Sequence, residues 1–108
     1  MADKSVPLSK KYQVHGVAFD SLTVREPTGA EYWSIGPIAE WQPTGDGTVM
    51  VSHRDALRSY AERLVEAPAG ATAPAILAVL SLADTLRIEG ALKGFFTEAV
   101  RLNEPPTS

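Results

Sequence analysis

The fold of this 108-residue chain is decided by one stretch, SLADTLRIEGALKGFFTEAV, which covers residues 81–100. Its apolar residues recur every three or four positions, which is the spacing of one helix face. Ser81 begins a capping pattern, with Asp84 three positions later. We therefore predict a helix from just after Ser81 to about Val100. The predicted apolar stripe consists of Leu82, Leu86, Ala91, Leu92, Phe95, Phe96 and Ala99.

Two further helices are predicted upstream of this one. The first follows the capping pattern of residues 52–55 (SHRD) and continues to about Glu66, where residues 68–70 (PAG) end it. The second opens on residues 72–74 (TAP), with a threonine cap and a proline in the first turn, and ends near Val79.

The first third of the chain predicts a β-hairpin. Alternating apolar residues mark one strand at Val6, Leu8, Tyr12 and Val14 and a second at Val17, Phe19, Leu22 and Val24. His15-Gly16 is the predicted turn between them. Pro7 indicates either an edge strand or a strand that starts after it. The alternation slips at Asp20-Ser21, which indicates a bulge or a turn there.

A short helix and an ambiguous segment follow the hairpin. Thr28 and Glu31 match a capping box, and the helix is predicted over about residues 29–35, with Tyr32 and Trp33 near the hairpin. Residues 38–51 contain the turn signal Gly-Asp-Gly. They predict either a second small hairpin or an insertion within a longer loop.

The order of strands followed by helices predicts an α+β fold. In it, an N-terminal antiparallel hairpin packs on a C-terminal bundle of about three to four helices. We expect a single domain over residues 1–102 and a flexible tail over residues 103–108, which hold a Pro-Pro pair and no apolar periodicity.

Composition narrows the function. Ten basic and thirteen acidic side chains give a net charge near −3, so we expect no nucleic-acid and no membrane partner. The absence of cysteine excludes disulfides, thiolate metal sites and a cysteine nucleophile. His15 falls at a turn, and His53 and Asp55 are interpreted as helix-cap and dipole residues. We predict no enzyme activity, no catalytic residue, no cofactor and no metal.

Two features of the last predicted helix favour contact with a partner. Gly90 and Gly94 are four positions apart, and small residues at that spacing permit close approach of another helix; tight packing on the hairpin is the alternative. Phe95 and Phe96 differ by about 100° around the helix. One ring can enter the core while the other lies at its edge as a partner contact, or both can belong to a wide apolar stripe.

Several of these stretches resemble tail assembly chaperones of long-tailed bacteriophages and prophages. The resemblance is carried by residues 8–11 (LSKK) and 19–28 (FDSLTVREPT) at the start, and by residues 80–84 (LSLAD) and 94–96 (GFF) in the closing helix. It covers about half of the chain, and the middle departs from the family pattern. Within the motif we interpret Arg25 and Glu26 as pointing to solvent or pairing locally.

The resemblance implies a non-enzymatic protein of the host bacterial cytoplasm. Such chaperones bind the long, helical tape measure protein reversibly and help to recruit tail tube proteins around it. They often form homo-oligomers, and they leave before the virion is finished. Two alternatives remain open: a small structural tail or connector component that stays in the virion, and a protein-binding accessory subunit unrelated to phage.

Overall fold

The computed structural model describes residues 2–103, which form five strands and four helices. The strands are β1 (Lys4–Val14), β2 (Val17–Val24), β3 (Ala39–Thr44), β4 (Gly47–Ser52) and β5 (Val65–Glu66). The helices are α1 (Gly29–Ile35), α2 (Arg54–Leu64), α3 (Ala73–Val79) and α4 (Leu82–Leu102). The predicted α+β fold is confirmed. Of the predicted tail, residues 104–108 lie outside the described residues.

β1 and β2 form the antiparallel hairpin that the alternation predicts, and β5 extends it to a three-stranded sheet in the order β1-β2-β5. His15 and Gly16 make the turn with φ of 49° and 77°. Pro7 lies inside β1, which is an edge strand, so the strand does not start after it. Pro7 pairs with Ser21 and Tyr12 with Phe19, so the extra residues of the bulge lie on β1 rather than at Asp20-Ser21.

The apolar face of α4 differs from the predicted stripe. Ile88, Leu92 and Phe95 are buried against the sheet and α2, whereas Leu82 is 74% exposed and Leu86 is 54% exposed. The reason is the orientation of the first turn, in which Asp84 points into the protein. Leu82 is two positions earlier, about 160° around the helix, and therefore faces outward.

Helix α2 ends at Leu64, two residues before the predicted end at Glu66. Val65 and Glu66 instead pair with Val24 and Thr23 as strand β5. The Arg25 N–H also donates to the Leu64 carbonyl at 2.7 Å. The open edge of β2 thus supplies hydrogen-bond partners for the backbone N–H and C=O groups of residues 64–66. The helix therefore ends at Leu64 instead of continuing for another turn.

The remaining elements follow the sequence closely, with one correction. The capping box of Thr28 and Glu31 is present, and α1 has its predicted bounds. Tyr32, however, lies near Phe96 of α4, and Trp33 is 87% exposed, so neither aromatic residue is placed on the hairpin. β3 and β4 form the second small hairpin around Gly45-Asp46. No helix within residues 2–103 is long and apolar enough to cross a bilayer.

Candidate functional site

A buried carboxylate connects the first sheet to the last helix. Asp84 has no exposed surface and accepts four hydrogen bonds from β1 and from the cap of α4. Tyr12 Oη donates to Oδ2 at 2.5 Å, and Ser9 donates its hydroxyl to Oδ2 and its backbone N–H to Oδ1, both at 2.8 Å. The Ser81 hydroxyl donates to Oδ2 at 3.2 Å. This set of bonds compensates the desolvation of the charge.

The hydrogen bonds decide the charge state of Asp84. Burial opposes ionisation and raises the pKa, but the bonds from Tyr12, Ser9 and Ser81 outweigh it and lower the pKa to about 2. The carboxylate is therefore ionised at neutral pH. Every donor to it belongs to the protein itself, so we assign Asp84 to the architecture and not to catalysis.

The sequence interpretation missed the central role of Asp84, which it treated only as part of a cap. A usable signal was present, because Asp84, Ile88 and Leu92 are spaced by four and therefore share one helix face. A carboxylate in line with two core residues must find donors inside the protein. Which strand supplies those donors is set by the bulge in β1, and the alternation pattern did not reveal its position.

A groove with a volume of about 420 Å³ lies between α2, α3 and α4. We call it the helical groove. Its apolar lining comes from all three helices: Leu57, Ala61, Pro74, Leu77, Ala78, Ile88 and Leu92. Its charged rim consists of Arg54, Asp55, Arg58, Glu62 and Glu89. An apolar floor between charged edges is the surface that an amphipathic helix covers.

Three of the rim charges form salt bridges along their own helices. Arg58 Nε lies 3.0 Å from Glu62 Oε1 along α2, and Lys93 Nζ lies 2.7 Å from Glu89 Oε1 along α4. Such surface pairs contribute little to stability and exchange partners at small cost. The rim can therefore pair with charges of either sign on an incoming helix.

The two glycines predicted as contact residues of α4 lie in different surroundings. Gly90 is exposed and would accept a methyl group without contact, so it lies against neither the hairpin nor another helix of the chain. Gly94 lies under the side chain of Lys4, whose Nζ is 3.1 Å from Glu98 Oε1. Gly94 thus packs on the first hairpin, which is the alternative to a partner contact given in the sequence analysis. Gly90 remains accessible to a partner.

The two adjacent phenylalanines separate as the helical geometry predicts. Phe95 is 1% exposed and belongs to the core, which removes it from the residues that a partner can reach in the folded chain. Phe96 is half-buried and packs edge-on against Tyr60, with ring centroids 5.1 Å apart, and near Tyr32 at 6.4 Å. Phe96 follows Leu92, a lining residue of the helical groove, by one turn of α4.

A second apolar surface lies on the side of α4 that faces away from the core. Its exposed members are Leu82, Leu86 and Val100, with Gly90 between them, and we call it the outer face of α4. The residues recur at helical spacing, but the surface is convex and interrupted by Lys93 and Thr97. It offers a partner a convex contact, whereas the helical groove is a depression that a partner's side chains can enter.

The remaining polar candidates have local partners. His53 occupies the N-cap of α2 without a side-chain capping bond, which corrects the capping role predicted for it. Its Nε2 instead lies 2.8 Å from Glu40 Oε1 on β3. Arg25 pairs locally as interpreted, because it holds Glu31 through two bonds of 3.0 and 2.8 Å. Residues 2–103 contain no cluster of three potential metal ligands.

With this geometry established, the chain was compared with known proteins. No protein-family model, no characterised protein and no solved structure gave a significant match.

Proposed function

We propose that this protein is a phage tail assembly chaperone that binds the tape measure protein reversibly through the helical groove. The observation that carries the proposal is the groove itself, with an apolar floor built from α2, α3 and α4 and charges on its rim. The identity of the partner rests on the resemblance of the two ends of the chain to this chaperone family.

The groove favours a helical partner over an extended one. Its floor is made of side chains, from Ala61 and Leu77 to Leu92, and offers no free strand edge for main-chain pairing. An amphipathic helix would place one apolar stripe on this floor and its flanking charges against Arg54, Arg58 and Glu62. The tape measure protein of long-tailed phages is long and helical, so it can supply such segments repeatedly.

The size of the groove favours binding that can be reversed. A volume of about 420 Å³ accommodates only a few side chains of a partner, so the contact that it offers is small. A chaperone that leaves before the virion is complete requires contacts of this moderate kind. We accordingly place the protein in the host cytoplasm, where it would help to recruit tail tube proteins and from which it would not enter the particle.

The resembling stretches also meet in space. Ser9, from the LSKK stretch, donates two hydrogen bonds to Asp84, from the LSLAD stretch. Residues that are 75 positions apart therefore form one structural unit. This gives the two halves of the resemblance a common physical reason, and it supports treating them as one signature.

The proposal predicts that a gene for a large helical protein, the tape measure protein, lies just downstream. Co-expression of the full chain with that protein tests the proposal. Ala78 is exposed on the groove wall, so Ala78→Arg should fill the groove without disturbing the core. Leu86→Arg is the matched control, because it adds the same charge on the outer face of α4. We expect a co-purifying complex that Ala78→Arg weakens at least tenfold and Leu86→Arg leaves intact.

Other outcomes are equally informative. If only Leu86→Arg abolishes the complex, the partner binds the outer face of α4 and not the helical groove. Absence of a tape measure gene from the neighbourhood would overturn the phage assignment. Mass spectrometry of purified particles should not find this chain, whereas stoichiometric presence would make it a structural tail or connector component.

A further inference from the structure

The β3–β4 hairpin lacks a covering layer within the described residues. Trp41 is 66% exposed, Val49 and Met50 are each 46% exposed, and no residue of either strand is fully buried. The radius of gyration is 15.9 Å, against about 13 Å for a compact domain of this length. Because a two-stranded hairpin is at best marginally stable alone, a further strand is needed to complete this one.

The free edges of the two sheets differ in their protection. β1, at the edge of the first sheet, carries Pro7, a bulge and the lysines at positions 4, 10 and 11, all of which discourage pairing with another chain. β4 reads GTVMVS and has no charged side chain, proline or bulge. β4 is therefore the strand whose edge is open to another strand.

The register shows which backbone groups of β4 are available. The two-residue turn after Thr44 and the bond from the His53 N–H to the Ile38 carbonyl fix the alternation of the ladder. Gly47, Val49 and Val51 thus bond to β3. The N–H and C=O groups of the other three residues, Thr48, Met50 and Ser52, point to the open edge.

We propose that β4 pairs antiparallel with β4 of a second copy of this chain, about a twofold axis at Met50, to form a four-stranded sheet. In this register Met50 faces Met50 of the second copy, and Thr48 faces Ser52. All three residues with outward backbone groups are then hydrogen-bonded. A twofold axis at Val49 or Val51 would pair only two of these three residues within β4, and an axis between two residues would place outward groups opposite inward ones.

The side chains agree with the same register. On one face, Trp41 and Met50 are directly opposite across the hairpin, so the dimer would carry a continuous row of two tryptophans and two methionines. On the other face, Val49 would lie opposite Val51 of the second copy. Since β4 is uncharged, self-pairing opposes no like charges. The contact is smaller than the roughly 800 Å² per partner of a stable complex, so the dimer should dissociate on dilution.

The test introduces a charge of either sign at Met50 and measures dimerisation of the full chain by sedimentation equilibrium. Wild type should dimerise reversibly, and both Met50→Lys and Met50→Glu should raise the dimer dissociation constant about tenfold or more, because they place like charges face to face. An equimolar mixture of the two variants should restore dimerisation. Gln42→Lys, on β3 away from the axis, should leave it unchanged.

A cysteine at the axis tests the register. The natural chain has none, so Met50→Cys can be oxidised only between copies, and hydrogen-bonded partners lie about 5.5 Å apart, within disulfide reach. Gln42→Cys should form no disulfide-linked dimer under oxidation, because its thiol would be separated from its counterpart by three strand spacings. If the wild type is monomeric at all concentrations, the proposal is wrong, and the open edge of β4 would instead pair with a strand of another protein. Dimers unaffected by the Met50 charges also overturn it.

Discussion

Ser9 and Asp84 are joined by two hydrogen bonds of 2.8 Å, one from the Ser9 backbone N–H and one from its hydroxyl. The backbone bond is available because the β1 bulge frees this N–H from the ladder with β2. An irregularity of the first strand thus orients the first turn of the last helix. The orientation in turn decides which face of α4 enters the core and which face lines the helical groove.

The Tyr12 hydroxyl should account for a measurable part of the stability. Tyr12→Phe keeps the ring stacked on Phe19 at a centroid distance of 5.6 Å but removes a donor to Asp84. We expect the free energy of unfolding to fall by about 1.5–3 kcal/mol in urea denaturation. Tyr32→Phe is the control, since the Tyr32 hydroxyl makes no hydrogen bond with the described residues. An equal effect of both variants would contradict this account.

Acid should destabilise the protein through two carboxylates. The pKa of Asp84 is lowered from 3.8 to about 2, and that of Glu31 from 4.5 to about 2, the latter mainly by its bonds from Arg25. Depressed folded-state pKa values stabilise fully above the unfolded values and cease to do so as the pH falls through the folded values. Stability should therefore drop between about pH 4.5 and 2.

Urea titrations at a series of pH values measure this dependence. Asp84→Asn and Glu31→Gln should each flatten the acid limb, besides lowering stability at neutral pH. A slope that neither Asp84→Asn nor Glu31→Gln alters would reject the assignment.

Substitutions of Phe95 and Phe96 should distinguish an effect on folding from an effect on binding. Phe95→Ala removes a core ring and should cost about 3–5 kcal/mol, enough to unfold a domain of this size in part. Phe96→Ala loses mainly the contacts with Tyr60 and Tyr32, and we expect about 1–2 kcal/mol. If Phe96 also contacts a partner, Phe96→Ala should weaken the partner complex more than its stability loss explains. Thermal unfolding and binding are therefore measured on the same preparations.

The sequence was sufficient wherever local chemistry determines the structure. The His15-Gly16 turn, the Thr28 capping box and the Thr72 and Ser81 caps all involve neighbours within a few residues. The elements that were missed depend on distant partners. β5 exists because the edge of β2 is open, and Leu82 is exposed because Asp84 is bound by Ser9.

The candidate site shows the same division. Periodicity identified α2, α3 and α4, but a groove is a property of how helices cross, and no spacing along one helix encodes that crossing. The glycines were recognised as unusual in a helix, yet only the structure distinguishes exposed Gly90 from Gly94 under Lys4. The charged cover over Gly94 comes from β1, ninety positions earlier, and is absent from any local pattern.

Gly90 offers a test in which stability and binding should move in opposite directions. A β-carbon at this position would contact nothing within 4 Å, so Gly90→Ala should stabilise the isolated chain by about 0.5–1 kcal/mol through helix propensity. The melting temperature should rise by several degrees. Gly94→Ala should gain less, because its methyl group must displace Lys4 and disturb the pair with Glu98.

If Gly90 is instead held as glycine by close contact with another helix, the same methyl group will obstruct that contact. Gly90→Ala would then raise the melting temperature of the chain alone and weaken either self-association or the tape measure complex. Calorimetry of the chain, sedimentation equilibrium and co-purification separate these effects. A variant that is more stable and binds as well as wild type would show that close contact of another helix does not require glycine at position 90.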